Sequence, residues 1–190
     1  MHCKKSVPQL FILLMIVLII FTSCNTNDTF APVLSLDEKG VYTGFRNAPE
    51  SVTLESAESL GYIVIDGQRV AENKDVWDKF VDDSSRKKDA SARLVYFLNN
   101  KSVYLVDIFY SGGRYFIFDS SAEEPKSSGF DYLLTLEGSF GMPARETRLH
   151  ILADDSSITF DKYMTAMFSS NTEVIQSVQP SRMIMMLLLD

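Results

Sequence analysis

Histidine and cysteine are nearly absent from this chain, with two of each among 190 residues. His2 and Cys3 stand at its very start, so His150 and Cys24 are left as the single histidine and cysteine of the remainder. That inventory excludes zinc sites built from several imidazoles or thiolates, and a Cys-His nucleophilic pair once Cys24 is otherwise engaged. A chain beginning at Cys24 also has no second thiol with which to close an internal disulfide. Cations are scarce too: 18 lysines and arginines face 25 acids. Setting aside Lys4 and Lys5 with the leader leaves 16 against 25, a formal charge of −9. Nucleic acid, whose phosphates need clustered lysine and arginine, is therefore not an expected partner, and charge gives no attraction to anionic lipid. Long apolar runs are missing as well. The stretch Leu10 to Phe21 has 12 residues, roughly 18 Å as a helix against a hydrocarbon core of about 30 Å.

Such a run has the length of a signal-peptide core, with Lys4 and Lys5 before it and the small residues Thr22 and Ser23 after it. Phe21, Thr22, Ser23 and Cys24 together resemble the lipobox of bacterial lipoproteins, with Phe21 in place of the usual leucine. In that family the cysteine thiol receives a diacylglycerol and the chain is cut just before it. The resemblance implies a membrane partner held through a lipid anchor at Cys24; an uncleaved N-terminal anchor is the alternative. Both place the rest of the chain outside the cytoplasm, at the outer face of the cell membrane. The expected organisation is a lipoprotein signal peptide over 1–23, the lipidated cysteine with an extracytoplasmic tether over 24–50, and a single α+β domain over 51–190.

The tether mixes polar residues, Gly and Pro without a sustained period, though VLSL and VYTGF leave room for a short docked strand. Thr53 can cap a helix that Gly61 ends, and Asp66-Gly67 signals a turn after YIVI. NKDVWDKFVDDSSRKK has its acids early, its cations late and Val76, Trp77, Phe80 and Val81 on one side, as an amphipathic helix requires. ARLVYFL, SVYLVDIFY and RYFIFD then read as an antiparallel meander turning at NNK and SGG. Pairing Leu98 with Val103 and Tyr110 with Tyr115 puts Leu94, Asp107 and Phe118 in one cross-strand row, with Val95, Val106, Ile108 and Ile117 on the opposite face. Apolar residues on both faces imply a sheet covered on both sides. FDYLLTLEG, TRLHILAD, TEVIQSV and RMIMMLLL add strands, and Thr159 caps a helix bearing Tyr163, Met164, Met167 and Phe168. The sum is an α+β fold, a curved antiparallel sheet of five to seven strands with two or three packed helices.

Candidate chemistry is thin. Asp107 interrupts an apolar strand, where a charge must be paired or wet. It is either a ligand-pocket or acid/base group or a carboxylate bonded to a nearby hydroxyl, arginine or amide. Tyr96, Phe109 and Phe118 join it as candidate ligand-binding residues, with sheet packing as the plainer explanation of the aromatics. His150 lies in RLHIL without a nucleophile motif around it. The spacing of Asp154, Asp155 and Asp161 does not match a calcium loop, and a strand rather than a helix follows Gly112-Gly113, so neither ion nor phosphate binding is indicated. No cofactor is implied.

The order SLGYIVIDG, VWDKFVD, ARLVYF, SVYLVDIFYSGGRYFIFD and LLTLEG resembles small lipoproteins of Gram-positive bacteria that share a domain without an assigned function. That resemblance implies an anchored extracytoplasmic domain and supplies no catalytic residues. The expected function is non-enzymatic binding of a peptide, protein or small ligand; the alternative is a hydrolase or transferase using Asp107 or His150.

Overall fold

A computed structural model describes residues 30–49, 51–98 and 101–189. The expected leader and the lipobox-like residues Phe21 to Cys24 lie outside the described residues. Helix α1 (Leu54–Ser59) opens with a reciprocal cap in which Ser56 donates its amide to the Thr53 hydroxyl at 3.1 Å and Thr53 donates its amide to the Ser56 hydroxyl at 2.9 Å. Gly61, at φ +72°, takes the left-handed conformation that ends the helix. A hairpin of β1 (Ile63–Asp66) and β2 (Arg69–Glu72) leads into α2 (Lys74–Ser85). Asn73 leaves α2 without a side-chain cap; its amide instead donates to the carbonyls of Glu58 and Tyr62 at 3.1 and 2.9 Å. The start of α2 is thereby tied to the end of α1.

Strands β3 (Ala90–Leu98), β4 (Lys101–Ser111) and β5 (Arg114–Asp119) form the expected meander. β1 joins β3 in parallel, giving a five-stranded sheet of order β2-β1-β3-β4-β5. The later strands, β6 (Tyr132–Phe140), β7 (Arg145–Ala153) and β8 (Ser181–Leu188), form a separate antiparallel sheet. The described residues therefore hold a mixed α+β fold with two sheets and four helices, in place of one continuous antiparallel sheet. Burial explains the division, because each sheet is apolar on both faces and needs two covers. Leu149 and Ile151 face Phe160, Tyr163 and Met164 of α3 (Phe160–Met167). Leu152, next along the strand, joins Ile184 and Met185 in packing on Ile63, Leu94, Ile108 and Ile117 of the large sheet, beside Trp77 and Phe80 of α2.

TEVIQSV is not a strand. It forms α4 (Thr172–Gln176), with the Asn171 side chain accepting the Glu173 amide at 2.9 Å and Val178 buried just beyond. Its apolar residues at 174, 175 and 178 follow helical spacing.

Tyr110 pairs with Tyr115 as its spacing predicts, but Leu98 faces Lys101 rather than Val103, and the ladder shifts between Tyr96 and Phe97. Arg93, not Leu94, consequently stands opposite Asp107 and Phe118, while Leu94 pairs with Val106 on the other face. Val95 moves across with Arg93, since a slip of one residue exchanges the faces of a strand.

Residues 30–49 do not lead away from the domain. Phe30 donates its amide to Leu60 at 3.0 Å, Tyr42 donates to Pro125 at 2.9 Å, and Leu36 and Tyr42 form a bridge. This strap, with α1, covers the face of the large sheet that carries Val64, Val95, Leu105, Phe109 and Phe118. Tyr42, within the expected tether, is a core residue, only 3% exposed. Among the described residues no helix is long and apolar enough to cross a membrane.

Candidate functional site

The cross-strand position of Arg93 and Asp107 creates the most polar spot in the interior. Arg93 donates from Nε to Oδ1 and from Nη2 to Oδ2, each at 2.6 Å, with the two side chains 2% and 0% exposed. The Tyr42 hydroxyl donates to Oδ2 at 2.7 Å. Arg93 also reaches the Gly44 carbonyl at 3.3 Å and the Tyr62 hydroxyl at 3.4 Å. Above its guanidinium lie the rings of Phe30, Tyr62 and Phe45, with centroids 4.6, 5.4 and 5.5 Å away. Both carboxylate oxygens thus have charged or hydroxyl donors, which is the condition under which a buried pair is tolerated. Burial opposes charge on Arg93, yet the hydrogen bonds and charge of Asp107 outweigh it and hold the guanidinium protonated. The Tyr42 phenol is pushed well above its ordinary range by burial first and then by Asp107. It remains a donor.

Asp107, Phe109 and Phe118 share one face, as the alternation of the meander predicts. Tyr42 closes over them, stacked on Phe118 at 4.3 Å and edge-on to Phe109 at 5.6 Å. Tyr96 is not with them. It lies on the opposite face, stacked on Tyr104 at 4.6 Å, and its hydroxyl donates to the Ile184 carbonyl across to the second sheet. Arg93 and Tyr42 do not stand out in the sequence; the signal for Arg93 was its place beside Leu94, one residue of register from the row of Asp107.

His150 is also interior, 5% exposed, and stands on the far side of the large sheet from Asp107. Its ring meets Trp77 edge-on at 5.0 Å, and Nδ1 lies 3.1 Å from the hydroxyl of Thr135, its cross-strand partner. Burial, followed by the charges of Arg148 and Lys74, pushes its pKa down to about 4, so the imidazole is neutral near pH 7. No carboxylate hydrogen-bonds this ring among the described residues, so the hydroxyl and imidazole lack the third group that orients a triad. Asp107 and His150 cannot act on a common substrate across the sheet.

His150 and Thr135 line a groove of about 400 Å³ together with Lys74, Trp77 and Arg148, and a larger groove lies elsewhere. A groove of about 630 Å³ runs between strap residues Phe30–Leu34 and α2, floored by the ends of β3 and β4. Phe109 is the one of the four candidate binding residues that lines it. Among the described residues there is no cluster of three or more histidine, cysteine or acidic side chains able to hold a metal ion. No family model matches the chain, and no curated protein or solved structure matches it.

Proposed function

We propose that this protein is a non-enzymatic binding domain, displayed at the outer face of the cell membrane by a diacylglycerol anchor at Cys24, and that it takes a peptide, protein or small ligand in the groove over Phe109. The resemblance to small Gram-positive lipoproteins belongs with this reading. One observation carries the binding half: the carboxylate best placed for chemistry is sealed and fully bonded, whereas the groove of about 630 Å³ is open and carries apolar side chains around Phe109. Its volume lies within the roughly 300–1,000 Å³ typical of ligand sites. The anchor half rests on the apolar run and the residues Phe21 to Cys24.

Metabolic labelling with a fatty-acid analogue, in wild type and in Cys24→Ala, tests the anchor; equal labelling of the two would remove it. The Thr135 and His150 pair favours one rival, an extracytoplasmic hydrolase or transferase. Thr135→Val that keeps the unfolding midpoint but abolishes turnover of an activated ester would put that rival in place of the binding reading.

A further inference from the structure

We propose that the groove takes an extended peptide segment carrying basic side chains next to apolar ones, paired through its backbone with the strap. This deepens the binding reading and rests on it. Three features of the groove converge on such a ligand.

The first is apolar lining. Val76 and Phe80 of α2, Ala90, Phe109 and Tyr110 supply hydrophobic surface within the groove, the kind of surface that recognises the apolar side chains of a peptide. The second is charge. Three aspartates and one lysine line the groove. Lys79 is already paired with Asp83, which Lys88 also approaches at 3.8 Å. Asp75 and Asp89 have no ion-pair partner among the described residues and are exposed. The groove therefore presents two uncompensated carboxylates beside its apolar lining, which complements a cation and repels an acidic chain.

The third feature is backbone. Residues 31–34 form one side of the groove without belonging to any strand or helix. The amides of Ala31, Val33 and Leu34 donate to no described residue, and of the carbonyls in this stretch only that of Val33 is engaged, by the Tyr42 hydroxyl at 3.4 Å. Meanwhile Phe30 ties the start of the stretch to Leu60, and Leu34 packs in the cluster of Tyr42, Phe109 and Phe118. Pro32 has no amide to give, so the unpaired groups are the amides of Ala31, Val33 and Leu34 and the carbonyls of Ala31, Pro32 and Leu34; such groups are what strand addition uses, main-chain bonds giving affinity while side chains enter the neighbouring groove.

The test uses the full lipidated protein in zwitterionic nanodiscs, with empty nanodiscs as the control, and reads fluorescence anisotropy. The probes are a labelled heptapeptide of alternating valine and lysine, the same peptide N-methylated on alternate amides, a valine and glutamate counterpart, and lysine amide as a competitor. The valine and lysine peptide is expected to bind and the glutamate peptide not to. Asp75→Asn with Asp89→Asn should weaken binding by about five- to tenfold, as two exposed ion pairs would, with the unfolding midpoint unchanged. N-methylation should abolish binding. Equal binding of the N-methylated peptide overturns pairing with the strap, and full competition by lysine amide reduces the ligand to a small amine and overturns the peptide. Binding of the glutamate peptide at the groove would overturn this inference while leaving the broader binding reading intact. Failure of every probe also overturns it, and the anchor is judged separately by the labelling of Cys24.

Discussion

Arg93 and Asp107 are worth more to this protein together than either is alone. Asp107→Ala leaves a buried guanidinium without its counter-ion and is expected to destabilise the fold by about 3–5 kcal/mol, whereas Tyr42→Phe, which removes one donor from Oδ2, should lose about 1–3 kcal/mol. Replacing both charges, Arg93→Met with Asp107→Leu, should recover most of the single-variant loss, because no uncompensated charge remains. Urea unfolding midpoints check the order; an Asp107→Ala variant as stable as wild type would show that the pair is not structural. At His150 the sign of the pH dependence follows from its depressed pKa. The unfolded imidazole takes its proton near 6.5 and the folded one only near 4, so between those values the unfolded chain binds more protons. The contribution of His150 is full above pH 6.5 and is lost as the pH falls toward 4, with a slope of up to about 1.4 kcal/mol per pH unit. His150→Gln should flatten that part of the stability profile; identical slopes would refute the assignment. The need for a partner at Asp107 was readable from its apolar neighbours, but which residue supplies it depends on a register that those neighbours leave open.

At the scale of elements, local chemistry was legible and partnership was not. Thr53 with Gly61, the hairpin between Tyr110 and Tyr115, and Thr159 before α3 all act as their residue types suggest. The irregularity after Tyr96 was invisible, because apolar and aromatic side chains occupy both faces there and either register buries them. TEVIQ was ambiguous for want of length, and the Asn171 cap together with α3 decides it. The separation into two sheets depends on contacts between residues far apart in the chain, such as Tyr96 with Ile184, which no local period encodes. The strap shows how tightly such contacts can constrain a position. A β-carbon on Gly44 would lie 2.0 Å from the Tyr42 hydroxyl oxygen. Gly44→Ala should therefore displace Tyr42 from Asp107, lower stability by about 1–3 kcal/mol, and raise amide hydrogen exchange selectively over residues 30–45. Unchanged protection there would mean that the strap accommodates the methyl group without leaving the sheet.

For the whole molecule, the strap belongs to the folding unit. A chain beginning at Ser51 lacks Tyr42, Phe45 and Phe30, so the face bearing Phe109, Phe118 and the ion pair is laid open to water. Such a chain is expected to bind a hydrophobic dye and give poorly dispersed amide resonances, while a chain from Asn25 unfolds cooperatively. Equal melting temperatures would show that the domain is complete without its strap. The same docking limits where the protein can work. Five residues, and so six Cα-to-Cα steps, separate the proposed anchor at Cys24 from Phe30, where the docked strap begins. At about 3.3–3.6 Å per residue that leash extends no further than roughly 20 Å. The groove starts at Phe30 itself, so the proposed anchor would confine its mouth to a thin layer above the lipid. On the proposed anchor, the domain does not fish in the surrounding medium, and its ligand is one brought to, or already belonging to, the membrane surface.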